Sequence, residues 1–166
     1  KNYKFTERQT KVICQEILNL VKAYPTIQLG KPSDTSVDYQ FSASMIEVPF
    51  DDTYKKLTHA LWEEGIRYFH IDVGDGKFVS RMFSGLEKVN FLRKTFPESI
   101  LHCHLMVENP HLACDNQPSF IEQYILAGCN AIAVHRRAFQ EESSIKEAFS
   151  LICKLGARPG LVIETT

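Results

Sequence analysis

Long apolar runs are absent from this sequence, because no stretch approaches the ~20 residues that a bilayer-spanning helix needs. The first ten residues, KNYKFTERQT, are polar and do not resemble a secretion signal. An excess of positive charge is also missing, since 19 Lys and Arg residues are mixed with 20 Asp and Glu residues. We therefore expect neither a membrane nor a nucleic acid as a partner.

Cysteine patterns that hold metals or form disulfide frameworks are lacking as well. The five cysteines form no CxxC pair and are odd in number: Cys14, Cys103, Cys114, Cys129 and Cys153. Most of them lie in apolar runs, which predicts reduced core residues. Unpaired thiols of this kind are typical of a cytoplasmic protein.

The first 40 residues differ in pattern from the rest of the chain. Apolar residues recur at helical spacing between residues 6 and 23, and Pro25 follows as a helix breaker. Residues 28–40 are polar and contain glycine and proline, as is typical of a linker. The sequence therefore predicts an N-terminal helix and linker, residues 1–40, and a second domain, residues 41–166.

Strand-like and helix-like segments alternate through that second domain. The predicted strands are 41–46, 67–73, 99–107, 130–135 and 160–165. The predicted helices lie near 51–64, 85–95, 118–127 and 141–155, and three of them end at Gly65, Gly128 and Gly156. A helix after each strand predicts an α/β fold with a parallel sheet and right-handed crossovers.

Two architectures have this alternation, the open doubly wound sheet and the closed barrel of eight units. An open sheet usually has a glycine-rich phosphate turn after its first strand, and here the first strand runs into MIEVPFDD. We therefore predict a (β/α)8 barrel of which about the first five units are present. A complete barrel needs about 250 residues, so we expect the native chain to continue past Thr166 or its remainder to be disordered or removed.

Polar residues occur at the ends of the predicted strands, where barrel enzymes place their active sites. These residues are Ser44, His70 with Asp72, His104, His135 and Glu164. His70 and Asp72 are two positions apart and so project from the same face of one strand. His104 lies on the next strand of the parallel sheet, about 4.8 Å away.

Burying these side chains without partners would cost several kcal/mol, roughly 2–7 for a polar group. A divalent ion such as Zn²⁺, Fe²⁺, Mn²⁺ or Co²⁺ suits two imidazoles and a carboxylate and leaves positions for substrate oxygens. The alternative is that each histidine is a hydrogen-bonded core residue without a ligand.

Three motifs resemble those of the ribulose-phosphate 3-epimerase family. HIDVGDGKFV (70–79) is similar to its second-strand motif, HCHLMVENP (102–110) to its third and FSASMI (41–46) to its first. AIAVH and GLVIET are weaker matches in the expected order. The resemblance covers residues 41–166 and is absent from residues 1–40.

The resemblance implies an isomerase that inverts C3 of a ketose phosphate, D-ribulose 5-phosphate to D-xylulose 5-phosphate, through an enediolate. It implies that His70, Asp72 and His104 bind a divalent metal ion and that Asp72 is also one of two acid/base carboxylates. Ser44, His104 and Met106 would contact the sugar phosphate. The second carboxylate would come from a seventh strand that these residues do not contain. A homo-oligomer is compatible with the resemblance.

Several positions depart from the family pattern. Gly74 stands where a pocket methionine is usual, which predicts open space or water there. His102 replaces a common aspartate and is expected to be a packed core residue rather than an additional ligand. Arg137 replaces a glutamate and adds positive charge near the site unless it points outward. Glu164 and Thr165 stand where the family usually has Asn-Pro.

These departures leave other functions open. One is a paralogue that binds a sugar phosphate without catalysis, and another is a 3-epimerase acting on a hexulose 6-phosphate. Asp75 is expected to organise the turn after its strand rather than to touch substrate. A decarboxylase or synthase on the same barrel would need a lysine among the acidic strand ends, and none occurs there.

Overall fold

The computed structural model describes residues 42–114 and 116–163. The helix predicted at residues 6–23, the linker at 28–40 and Glu164 lie outside the described residues. The domain boundary at residue 40 therefore stays a prediction.

The chain divides into two compact units. Of the described residues, the first unit contains 42–43 and 47–68, and the second contains 44–46 and 69–163. Strand β1 (Ser42–Ser44) ends at Ser44, which belongs to the second unit.

Helix α1 (Asp52–Glu63) is the main element of the first unit. It begins at Asp51, whose carboxylate accepts hydrogen bonds from the backbone N–H groups of Thr53 and Tyr54. Such caps satisfy backbone donors that have no partner within the helix. The helix ends before Gly65, which has a φ of +94°. The predicted helix and its terminal glycine are therefore confirmed.

The second unit contains the remaining elements. In chain order they are β2 (Tyr68–Asp75, whose first residue belongs to the first unit), β3 (Met82–Phe83), α2 (Leu86–Thr95), β4 (Ile100–Met106), α3 (Phe120–Leu126), β5 (Ala131–His135), a 3₁₀ turn (Arg136–Ala138), α4 (Glu142–Lys154) and β6 (Arg158–Val162). None of the helices in the described part of the chain has the length and apolar character needed to cross a membrane.

The strands form one sheet in the order β1–β2–β4–β5–β6, and β3 pairs antiparallel with β2. Strands β4 and β5 are parallel, as are β5 and β6. His104 lies opposite Ala133, which lies opposite Gly160. The predicted α/β class, with a parallel sheet and alternating helices, is confirmed.

Side chains alternate between two faces along β2 and β4, as the period of two in a strand requires. One face is buried and apolar; its members include Phe69, Ile71, Val73, Leu101, Cys103 and Leu105. Burial of each large apolar side chain contributes roughly 1.5–3 kcal/mol, which fixes the register of both strands. The opposite, half-exposed face therefore carries His70 and Asp72 on β2, and His102, His104 and Met106 on β4.

Strand β6 begins two residues before its predicted start. Pro159 and Gly160 are typical strand breakers, whereas here both pair with β5. Strand β6 stands last in the order of the described sheet, where a missing backbone donor is tolerated.

A short hairpin that the sequence analysis did not predict follows β2. Gly74 pairs with Phe83 of β3, and a Cβ atom at Gly74 would lie 2.7 Å from the carbonyl oxygen of Arg81 and 2.9 Å from Val79 Cγ2. The expectation that Gly74 opens space or admits water is therefore wrong. The place of a side chain is taken by the returning backbone, which only glycine allows to come this close.

Cysteine burial was predicted correctly at two positions and wrongly at two. Cys103 and Cys129 are buried and free, with their Sγ atoms 2.7 Å apart. Burial and the hydrogen bond with Cys129 raise the pKa of the Cys103 thiol well above its ordinary value. Cys114 and Cys153 are free but exposed, because the first lies in a loop and the second on the solvent side of α4. Cys14 lies outside the described residues.

Arg93 of α2 ties this helix to the turn before β5. Its guanidinium group donates to the carbonyl oxygen of Gly128 at 2.7 Å and to Oδ1 of Asn130 at 2.7 Å. It also donates to the carbonyl oxygens of Pro97 and Ser99. Gly128 itself has a φ of +113°, and a Cβ atom there would lie 2.8 Å from Arg93 Cγ and Nε.

Gly128→Ala is expected to lower the free energy of unfolding more than Gly156→Ala, by about 1–3 kcal/mol, because only Gly128 adds a steric clash. Gly156 is a matched control, since it also ends a helix at positive φ, +84°, and a methyl group added there would have nothing within 4 Å. Urea denaturation of both variants measures the difference. Equal losses would show that Arg93 moves aside without cost.

Candidate metal centre

His70, Asp72 and His104 come together on the half-exposed face of β2 and β4. One potential ligand atom from each lies within 4.8 Å of the others. His70 and Asp72 are neighbours on the same face of β2, and His104 projects from β4, the next strand in the sheet. The three predicted metal ligands are therefore close enough to share one ion.

Asp72 lies at the centre of this group. Its Oδ1 atom is 3.1 Å from Nε2 of His70 and 3.1 Å from Nδ1 of His104. Its Oδ2 atom accepts a hydrogen bond of 3.1 Å from the hydroxyl group of Ser44. Burial alone would raise the pKa of Asp72, but the hydrogen bonds from His104, His70 and Ser44 and the charge of His70 outweigh it. The pKa of Asp72 is held well below its usual range, so the carboxylate is ionised at neutral pH.

Two further histidines contact the outer sides of this group. His102 Nδ1 is 3.3 Å from His70 Nδ1, and His135 Nε2 is 2.7 Å from His104 Nε2. Burial and the neighbouring His70 and His104 lower the pKa of His102, which favours its neutral form. His102 does not belong to the set of possible ligand atoms identified among the described residues. His135 was recognised as a polar strand end, but its contact with His104 could not be predicted from the sequence.

Met106 continues the face of β4 that carries His102 and His104. It is half-buried at the last position of the strand, two residues beyond His104. Its predicted role as part of the substrate pocket stays a prediction.

Phe78, which the sequence analysis did not single out, packs against the edge of the group. Its ring centroid is 4.9 Å from that of His135, whose ring stacks on His104 at 4.8 Å. The guanidinium of Arg137 lies over the Phe78 ring, 4.5 Å from its centre. Arg137 is exposed and its guanidinium is held against this aromatic ring. An effect of its charge on the site stays a prediction. An aromatic residue in a loop carries no sequence signal for this role.

Asp75 organises the turn after β2, as expected. Its Oδ1 atom accepts hydrogen bonds of 2.8 Å from the backbone N–H groups of Lys77 and Phe78. Its Oδ2 atom accepts one of 2.9 Å from the N–H of Glu108, two residues after the end of β4. Burial would raise the pKa of Asp75, but these backbone hydrogen bonds lower it below its ordinary value of 3.8.

The lowered pKa of Asp75 predicts a pH-dependent contribution to stability. A carboxyl group whose pKa is lower in the folded than in the unfolded state stabilises the fold above the unfolded-state pKa and loses this effect as the pH falls through the folded-state pKa. Wild type is therefore expected to be more stable than Asp75→Asn above about pH 5, with the difference shrinking below about pH 4. Urea denaturation of both proteins at a series of pH values, from above about pH 5 to below about pH 4, measures the difference in the free energy of unfolding. A difference independent of pH would contradict it.

The donor atoms of the group suit a first-row divalent ion. Imidazole nitrogen and carboxylate oxygen are the ligands that Zn²⁺, Fe²⁺, Mn²⁺ and Co²⁺ share. Three protein ligands also leave coordination positions for other molecules, as in catalytic rather than structural sites. The residues present therefore fit such an ion.

Comparison with known proteins identifies relatives of the chain. Residues 40–166 match the family described as the Ribulose-phosphate 3 epimerase family. Over 99 residues the chain is 34% identical to "Ribulose-phosphate 3-epimerase" of Aquifex aeolicus, an alignment that covers 60% of this chain and 40% of that protein.

Two other relatives agree with this match. "Ribulose-phosphate 3-epimerase" of Chlamydia pneumoniae is 33% identical over 107 residues, which cover 64% of this chain and 40% of that protein. The cytoplasmic isoform of rice (Oryza sativa subsp. japonica) is 30% identical over 97 residues, which cover 58% and 38%. The chain thus spans about two fifths of the length of the curated relatives it matches. Together with the parallel sheet and alternating helices, this confirms the predicted partial TIM barrel.

Proposed function

The chain belongs to the ribulose-phosphate 3-epimerase family, and on that premise we propose that it carries the metal-binding half of an enzyme that inverts C3 of D-ribulose 5-phosphate to form D-xylulose 5-phosphate. The observation that carries the proposal is the convergence of His70, Asp72 and His104 within 4.8 Å. A core of ordinary packed histidines would not require an ionised carboxylate between two imidazoles.

In this proposal His70, Asp72 and His104 hold a divalent metal ion. When bound, the ion supplies a Lewis acid that stabilises the negative charge of an enediolate without protonating it. The ligand atoms are the three that already face one another, Nε2 of His70, Oδ1 of Asp72 and Nδ1 of His104. Binding requires both nitrogens to be free of protons, so metal affinity should fall as the pH is lowered.

Asp72 also serves as the base on one face of the sugar. Inversion next to a ketone needs a weakly acidic proton to be removed from one face and a proton to be returned to the other. Oδ2 of Asp72 contacts the Ser44 hydroxyl group rather than an imidazole, so this oxygen is the one available to accept the proton. The pKa of Asp72 is held well below its usual range despite burial, because hydrogen bonds from His104, His70 and Ser44 favour the charged form. The carboxylate is therefore ionised, as both a metal ligand and a base must be.

Ser44 and Met106 complete the substrate contacts within the described residues. The Ser44 hydroxyl group donates to Oδ2 of Asp72, and in this proposal it would also meet a substrate oxygen. Met106 offers a polarisable, uncharged wall on the same face as His104, which would exclude water from a developing negative charge. The ligand in this reaction is a small sugar phosphate.

The proposal is tested with full-length protein that is stripped by a chelator and reloaded separately with Zn²⁺, Mn²⁺, Fe²⁺ or Co²⁺. Metal content is compared with conversion of D-ribulose 5-phosphate and with incorporation of deuterium at C3 from heavy water. Conversion and exchange that both require the metal would support the epimerase.

Three other results would count against it. Bound metal with activity only on a hexulose 6-phosphate would change the substrate. Bound metal without proton exchange on either sugar would indicate a binding paralogue, and the absence of metal binding would overturn the metal centre itself.

A further inference from the structure

Each metal-ligand histidine turns its other ring nitrogen toward another imidazole. His70 Nδ1 is 3.3 Å from His102 Nδ1, and the two rings meet edge to face with centroids 4.9 Å apart. On the other side, His104 Nε2 is 2.7 Å from His135 Nε2. The central carboxylate is thus flanked by two histidine pairs.

Proton placement on His70 follows from this geometry. The atom of His70 that faces Asp72 is Nε2, at 3.1 Å from Oδ1. A neutral imidazole carries one proton, so a metal on Nε2 requires the proton to be on Nδ1. The N–H at Nδ1 then points to His102, whose Nδ1 atom is its hydrogen-bond partner among the described residues.

We propose that His102 is a positioning residue that accepts the Nδ1 proton of His70 and thereby holds the His70 ring with Nε2 directed to the metal. This inference rests on the proposed function, because it assigns a role toward the ion bound by His70, Asp72 and His104. Histidines that bind metals almost always donate their second ring N–H to an acceptor, which fixes both the tautomer and the ring orientation.

His102 contacts the proposed ligand His70 and lies outside the group of possible ligand residues. His102 lies two residues before His104 on the same face of β4, and it pairs with the small Ala131 of β5. Its Nδ1 atom is directed at His70 rather than at Asp72, and it does not join the set of ligand atoms within 4.8 Å. The proximity of the His70 and His102 rings therefore supports a role in which His102 contacts the metal ligand His70. It does not support His102 as a fourth metal ligand.

The test compares wild type with His102→Asn and His102→Leu in the full-length protein, using zinc as the metal. Oδ1 of asparagine can take the place of Nδ1 of histidine as an acceptor, whereas leucine has none. Competition with a chromophoric chelator should show that His102→Leu lowers zinc affinity by about 10–100-fold. His102→Asn should stay within a few fold of wild type.

A second readout separates hydrogen bonding from general disruption of the fold. In the zinc-loaded protein labelled with ¹⁵N, the His70 Nδ1 proton should exchange slowly with water in wild type and in His102→Asn. In His102→Leu it should exchange too fast to be observed. If His102→Leu does not fold, His102→Phe keeps a planar ring, removes the acceptor and should show the same loss.

The outcomes distinguish this inference from the proposed function. If wild type binds zinc and His102→Leu or His102→Phe binds it equally well with a protected Nδ1 proton, the positioning role is overturned and the metal centre stands. If His102→Asn loses as much affinity as His102→Leu, the role is packing rather than hydrogen bonding. If wild type binds no zinc, the metal centre itself fails and the positioning role fails with it.

Discussion

Asp72→Asn is expected to reduce turnover of D-ribulose 5-phosphate by about 10²–10⁴-fold or more, the range attributed to a single acid/base group. Among the described residues, the possible metal-binding group consists of His70, Asp72 and His104, and the substitution removes its only negative charge. It also replaces an oxygen shared by two histidine nitrogens with an amide group. Metal affinity should fall by more than the roughly 10–100-fold that loss of an outer hydrogen-bond partner costs.

Asp75→Asn is the matched control for this experiment. It removes the same charge from the same strand, but Asp75 contacts backbone N–H groups of Lys77, Phe78 and Glu108 rather than the histidines. Metal content and turnover should be measured for both variants under the same conditions. Equal effects of the two substitutions would contradict the assignment of Asp72, because they would indicate a general effect of charge or folding.

Gly74→Ala is expected to destabilise the protein by about 1–3 kcal/mol, as overpacking of a filled site does. The added methyl group would lie 2.7 Å from the carbonyl oxygen of Arg81 and 2.9 Å from Val79 Cγ2. The backbone oxygen cannot rotate away as a flexible side chain would, so the hairpin pairing of Gly74 with Phe83 should be disturbed. The change should appear as a lower midpoint in urea denaturation with an unchanged m value.

Gly160→Ala provides the comparison for Gly74→Ala. Gly160 also lies in a strand and has no positive φ, but its added methyl group would be 3.4 Å from Ala133 Cβ, close to ordinary contact. Gly160→Ala should change the free energy of unfolding only slightly. Alanine restricts the unfolded chain, which stabilises the folded protein by about 0.4–1 kcal/mol and offsets the cost of the close contact. If Gly74→Ala were as stable as Gly160→Ala, residues 79–83 would have to shift without cost to accommodate the methyl group. That result would contradict the conclusion that the hairpin fills the space at Gly74.

The predicted strands and helices of the barrel were largely correct because each carries a strong local signal. Helix α4 has apolar residues at helical spacing and ends before Gly156, which has a φ of +84°. Strand β4 alternates between apolar and polar residues with a period of two. Where the prediction was wrong, as at the start of β6, tertiary pairing with β5 outweighed the local preferences of Pro159 and Gly160.

The candidate site could likewise be predicted only in part from the sequence. His70 and Asp72 share a face through the geometry of one strand, and the parallel sheet brings His104 beside them. The contact of His135 with His104 and the packing of Phe78 on His135 were not predictable in this way. Both depend on side-chain directions and on a loop whose path has no sequence periodicity.

The sequence by itself determined the alternation of strands and helices, the face on which His70 and Asp72 lie and the motifs of the family. These features follow from backbone periodicity and residue type, which act over a few neighbouring residues. Only the tertiary structure decided that the hairpin fills the space at Gly74 and that His102 meets His70 through Nδ1. Such contacts join residues distant in sequence, and their geometry is set by close packing of the whole unit rather than by any local pattern.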